Sequence, residues 1–99
     1  MIPARNEATN IEALLDGIEV ALAGRDFEII VVDDASDDGM SDILRVRLDR
    51  SPVLRVLRHD VAGGQSAAVH SGVRAARGPI CCTLDGDGQN PPEELPRLI

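Results

Sequence analysis

Apolar residues recur at Ile11, Leu14, Leu15, Ile18 and Leu22, spacings of three and four that set them on one face of a helix through TNIEALLDGIEVAL. Thr9 and Glu12 fit a capping box at its start, and Gly24 supplies an end. The pattern then changes. FEIIVVDD is a short, continuous apolar run closed by two acids, the signature of a strand buried on both faces of a parallel sheet. SDDGMSDILRVRLDR predicts a second helix with Met40, Ile43, Leu44 and Leu48 on its inner side. PVLRVLRH predicts a strand nearer an edge, because Arg55 and Arg58 interrupt its apolar run. GGQSAAVHSGVRAARG is a third helix of small residues, able to lie close to a sheet, and Gly78-Pro79 stops it. ICCTLD is the next strand, and a last helix begins near Pro92, a residue suited to a first helical turn. Met1-Ile2-Pro3 reads as the tail of a strand.

Strand and helix therefore alternate, as in βαβ units, and residues 1–99 read as one continuous α/β unit with a mostly parallel sheet between helical layers. In such sheets ligands gather beyond the carboxyl ends of the strands. Asp33-Asp34 closes one strand, Asp85 closes another, and PARNE follows the first. Three strand ends thus present polar groups on one edge, which is where a site is expected.

Composition narrows the chemistry. At 99 residues the chain is one domain at most, and its 43% hydrophobic share comes almost wholly from Ala, Val, Leu and Ile. Phe27 is the only aromatic, so a base-stacking platform is lacking, and a net charge of −7 repels a phosphate backbone. Nucleic acid is excluded as a partner on both grounds. All ten basic residues are arginine. Without lysine there is neither a Walker A loop nor a Schiff-base amine. Cys81 and Cys82 are adjacent in a strand-like run, where neighbours point to opposite faces, so reduced thiols in an intracellular protein are expected. No signal peptide is apparent, and no apolar run approaches the roughly 18 residues needed to span a membrane.

Asp85-Gly86-Asp87 is open to three readings. Asp and Gly favour plain turns. A calcium loop of the EF-hand type wants Gly at the sixth position and Glu at the twelfth, but counting from Asp85 these hold Asn90 and Pro96. A hard cation such as Mg²⁺ or Mn²⁺ remains, with Gln89 adding a neutral oxygen and substrate phosphates completing the shell. Asp33-Asp34 has a rival in the paired acids of receiver domains, which also require a lysine. It has a second in a simple acid-rich helix start, since carboxylates are favoured at the positive end of a helix dipole. Gly63-Gly64 is a tight turn or a phosphate cradle. His59 and His70 have no partner at metal-ligand spacing and read as structural or surface groups.

IPARNEATNIEALL, EIIVVDDASDDG and LDGDGQNPPEELPRLI, in this order and at these separations, resemble the family 2 glycosyltransferases. The subgroup most similar is the dolichol-phosphate mannosyltransferase and bacterial polyprenyl-phosphate glycosyltransferase branch. The resemblance implies the nucleotide-binding half of a GT-A (Rossmann-like) three-layer sandwich, and a UDP- or GDP-sugar donor. It implies that Pro3, Arg5 and Glu7 lie in the loop around base and ribose, and that Val32 and Asp34 lie beside the base with Asp33 next to them. It further implies that Asp85, Gly86 and Asp87 meet ribose and diphosphate, and that Asp85, Asp87 and Gln89 hold Mg²⁺ or Mn²⁺. The acceptor implied is a polyprenyl phosphate at the cytoplasmic face of the membrane, or in a second reading a saccharide or lipid hydroxyl. Arg5 stands where this branch often has tyrosine, and Gly86 where alanine is frequent. The acceptor site, membrane segments and any catalytic base are expected beyond residue 99. The first strand is expected to lie centrally, between those ending at Asp34 and Asp85. With that strand reduced to Met1-Ile2, the isolated chain is expected to be aggregated, partly unfolded or a homo-oligomer, and to have no transferase activity; a non-catalytic fragment that only binds nucleotide is the alternative reading.

Overall fold

The computed structural model describes residues 1–78, 82–84 and 96. Strands β1 (Ile2–Ala4), β2 (Ile29–Asp34) and β3 (Leu54–His59) alternate with helices α1 (Ile11–Ala21), α2 (Met40–Leu48) and α3 (Gly64–Ala75). The strands pair in the order β1-β2-β3, all parallel. On the far side of β1 the α-ammonium of Met1 donates to the Cys82 carbonyl at 2.8 Å, and the Leu84 N–H donates to the Met1 carbonyl at 3.1 Å. Two such bonds straddling Thr83 are the pattern of a parallel pair. β1 therefore lies between β2 and the 82–84 segment, in the central place expected of it. The remainder of the expected fourth strand, and the helix expected from Pro92, lie outside the described residues, as does Cys81. Cys82 is a half-buried free thiol.

Alternation along β2 explains the layers. Ile29 and Val31 point to one side, into a core with Ile2, Ile11, Leu15, Ile18, Met40 and Leu44. Ile30 and Val32 point to the other, where they pack with Ala68 of α3. All six residues of β2 are buried, as a continuous apolar run requires. In β3 only Leu54 is fully buried, in keeping with an edge. Small residues bring α3 close: a Cβ at Gly72 would run into the Met1 side chain, so the glycine makes room for that side chain where it lies. Gly24 ends the α1 region with φ +85°, in the left-handed region that favours glycine.

Two local expectations are corrected. The capping box does not form: Asn10 occupies the N-cap without a side-chain capping bond. The N–H groups of Asn10 and Ile11 go instead to the Glu7 carbonyl, and Glu12 accepts from Arg50 at 3.0 Å. Glu12 is drawn toward the loop after α2 rather than back along its own helix. In α2 the inner face holds Met40, Leu44 and Arg47, while Leu48 is 41% exposed. The Arg47 guanidinium pairs with Asp16 at 2.7 Å and with Glu19, both on α1. Burial alone would lower its pKa, but the Glu19 and Asp16 carboxylates outweigh that and raise it. A buried cation so paired fastens α2 to α1; breaking such a pair costs about 3–5 kcal/mol.

Candidate functional site at the carboxyl edge of the sheet

The register of β2 on β3 sets Asp33 opposite Arg58 and Asp34 opposite His59. Successive residues face opposite sides, so the two acid–base pairs lie on opposite faces of the same strand ends. Asp33 is 1% exposed on the α1/α2 side. Its Oδ1 accepts the Ser36 N–H at 3.0 Å; its Oδ2 accepts Ser41 Oγ–H at 2.6 Å and Arg58 Nη1–H at 2.7 Å. Burial pushes this carboxyl up, but the bonds from Ser36 and Ser41 and the Arg58 charge overcome it, leaving the pKa below the ordinary value. Arg58 also donates to Ser41 Oγ and to the Ser36 carbonyl.

Asp34, on the α3 side, is equally committed. Its Oδ1 accepts from Gly63 N–H at 2.9 Å and faces His59 Nδ1 at 2.8 Å, while Oδ2 accepts from Gly64 N–H at 2.9 Å. The Gly63 bond, then His59 and Gly64, hold this carboxyl below its usual pKa. The glycine pair is thus a turn whose free N–H groups cradle a carboxylate of the chain itself. Gly64 makes that turn with φ +86°.

The loops after β1 and β2 are clasped together above the edge. Asn6 N–H donates to Ser36 Oγ, Asp37 N–H to Asn6 Oδ1 and Ala8 N–H to Asp38 Oδ2, each at 2.9 Å. Asn6 and Ala35 take positive φ, 56° and 60°, inside this clasp. It leaves Arg5 exposed and Glu7 half-buried at the rim.

Of the site residues expected from sequence, Arg5, Glu7, Asp33 and Asp34 come together at this edge. Pro3 and Val32 are register partners within the sheet and are both buried. Asp85, Gly86, Asp87 and Gln89 lie outside the described residues. Among the described residues no three His, Cys, Asp or Glu side chains are set to hold a metal ion. Sequence reasoning missed Asn6, Ser36, Ser41 and Arg58 as organisers of the edge, and saw His59 only as structural or surface. The available signal was the ends of the two strands: VVDD and VLRH, laid in register, pair an acid with a base twice.

Comparison with known proteins bears on what this edge serves. The profile of Glycosyl transferase family 2 matches residues 1–99. The chain is 42% identical over 103 residues to the undecaprenyl-phosphate 4-deoxy-4-formamido-L-arabinose transferase of Pseudomonas aeruginosa, covering 100% of this chain and 30% of the relative. It is 39% identical over 99 residues to the dolichol-phosphate mannosyltransferase of Pyrococcus furiosus, covering 100% of this chain and 28% of that one. The chain therefore spans under a third of these curated relatives. Among solved structures, the mannosyltransferase PcManGT of Pyrobaculum calidifontis, in complex with GDP-Man and Mn²⁺, superposes with a TM-score of 0.76 at 30% identity. That match covers 87% of this chain and 26% of the other. TarS of S. aureus, in complex with UDP, superposes with a TM-score of 0.75 at 25% identity over 88% of this chain and 26% of its own. The architecture is that of the GT-A glycosyltransferases, and the chain belongs to glycosyl transferase family 2.

Proposed function

We propose that this chain forms the nucleotide-sugar-binding part of a transferase that moves a sugar from a UDP- or GDP-sugar to a polyprenyl phosphate. The observation that carries this reading is similarity along the whole of this chain to a part, under a third, of the undecaprenyl-phosphate and dolichol-phosphate transferases, at 42% and 39% identity. The Mn²⁺ and GDP-Man of the PcManGT complex support a cation-dependent donor.

The residues divide into those that touch the donor and those that shape its bed. Arg5 and Glu7, exposed and half-buried at the rim, are the side chains of the β1–α1 loop available to base and ribose. An arginine plane can stack on a base and still donate hydrogen bonds. Pro3, Val32, Asp33 and Asp34 are buried and act by holding the floor and the two loops in place. Asp85 and Asp87, with Gln89 and Gly86 between and behind them, supply two carboxylates and an amide oxygen, a donor set that fits Mg²⁺ or Mn²⁺. When bound, such a cation offsets the charge that develops on the departing nucleoside diphosphate. The acceptor phosphate is already ionised at neutral pH, so this half of the reaction needs no base from residues 1–99. A polyprenyl acceptor puts the reaction at a membrane surface, and we assign it to the cytoplasmic face, where nucleotide sugars are available. Among the described residues no helix is long and apolar enough to cross a membrane.

The test is a calorimetric titration of the complete protein with UDP-, GDP- and dTDP-sugars, with and without Mn²⁺. One donor class should bind, and bind better with the cation. Failure of every nucleotide sugar to bind would overturn the reading.

A further inference from the structure

His59 has two partners at fixed places: Asp34 Oδ1 lies 2.8 Å from Nδ1 and Ser71 Oγ lies 2.9 Å from Nε2. Asp34 is ionised and accepts only, so Nδ1 carries the proton, and in the neutral ring Nε2 accepts from the Ser71 hydroxyl. A carboxylate, an imidazole and a serine in this order is the arrangement that activates a nucleophile. Here the chemistry stops short. A nucleophile also needs N–H donors for an oxyanion, and the Gly63 and Gly64 N–H groups on this face are turned to Asp34.

The chain of bonds is mechanical instead. It runs from β2 through β3 to the middle of α3, and its carboxylate holds the turn from which α3 starts. The other end of α3 has a separate anchor. Arg55 donates to Glu28 at 2.9 Å and to the Ala75 carbonyl at 2.8 Å, and Glu28 accepts the Arg77 N–H at 2.6 Å. Losing His59 therefore loosens the carboxylate that holds one end of the helix and leaves the anchor of the other end untouched.

We propose that His59 is a positioning residue of the donor site: by orienting Asp34 it holds the Gly63-Gly64 turn, and the β3–α3 loop with it, at the carboxyl edge of the sheet. The assignment to the donor rests on the function proposed above. The hydrogen-bond geometry does not. An asparagine at 59 sets its amide N–H near the place of Nδ1 and keeps the bond to Asp34, whereas a glutamine reaches toward the place of Nε2 and loses it.

The experiment is residue-resolved amide exchange on the complete protein, alongside donor titration. In His59→Ala, exchange at Gly63 and Gly64 should rise about tenfold or more, the size expected for weakening bonds to a charged acceptor. Exchange at Arg77 should stay near wild type. His59→Gln should behave as the alanine variant and His59→Asn as wild type, and donor Kd should rise about tenfold only in the first two. Unchanged exchange at the two glycines in His59→Ala would overturn the proposal. So would a rise that includes Arg77 equally, which marks general destabilisation. Exchange that rises at the glycines while donor Kd stays constant would overturn the link to the donor site. If the wild type binds no nucleotide sugar, the proposed function falls, and the exchange pattern alone decides whether His59 positions the turn.

Discussion

Asp33 and Asp34 are consecutive, equally buried and both held below their ordinary pKa, yet they belong to different halves of the molecule. Asp33 looks into the α1/α2 side, where its partners are a permanently charged arginine and groups of the loop and first turn before and within α2. Asp34 looks into the α3 side, where its partners are a histidine and two glycine N–H groups. One strand end thus fastens the loop on each face with the same functional group and different chemistry. A pair of acids at a strand end, so readily read as two ligands, serves here as two tethers.

This comparison predicts unequal costs. Asp33→Ala removes the acceptor of three donors and leaves Arg58 without its carboxylate, so it should destabilise the protein by about 3 kcal/mol in urea unfolding. Arg58, already partly exposed, can turn to water and keeps the loss from being larger. Asp34→Ala should cost less, about 2 kcal/mol, because the freed glycine N–H groups sit at an exposed turn that water can reach. Equal losses would contradict this difference in how readily water replaces the two sets of bonds.

The two tethers also make stability depend on pH with a defined sign. Both carboxylates have folded-state pKa values lowered relative to the unfolded chain. Their contribution is therefore complete above the unfolded Asp value, about 4, and is lost as pH falls through the lower folded values. Urea midpoints of the wild type should drop across that acid range. Asp33→Asn and Asp34→Asn should start lower near neutrality and each show a shallower acid decline. A smaller effect sharpens the contrast in packing. Gly72→Ala must push the Met1 side chain aside, but that chain is flexible, so the cost should be about 1 kcal/mol. The same measurement would reveal a stiffer α3 face if the loss were several times greater.

Periodicity was enough to read much of this architecture. The unbroken apolar run of β2, the arginines that break β3 and the small residues of α3 each carry their layer in their own composition. What was not legible depends on partners supplied by another element. Arg47 takes the inner position that Leu48 was expected to fill only because Asp16 and Glu19 of α1 stand opposite it. Glu12 abandons its cap because Arg50 lies within reach. At the site, the polar strand ends were visible as a group, but the matching of Asp33 with Arg58 and Asp34 with His59 is a property of register, which neither strand encodes alone. The loop clasp through Asn6, Ser36 and Asp38 was hidden for the same reason.

The division between tethering acids and cation-holding acids is tested most directly by nucleoside-diphosphate titrations of the complete protein, with and without Mn²⁺. Wild type, Asp34→Ala and Asp87→Asn should be compared by calorimetry. The account predicts that Mn²⁺ strengthens binding in the wild type, that Asp34→Ala binds more weakly but keeps the Mn²⁺ enhancement, and that Asp87→Asn loses it. Loss of the enhancement in Asp34→Ala with its retention in Asp87→Asn would contradict the account and move the cation to the end of β2.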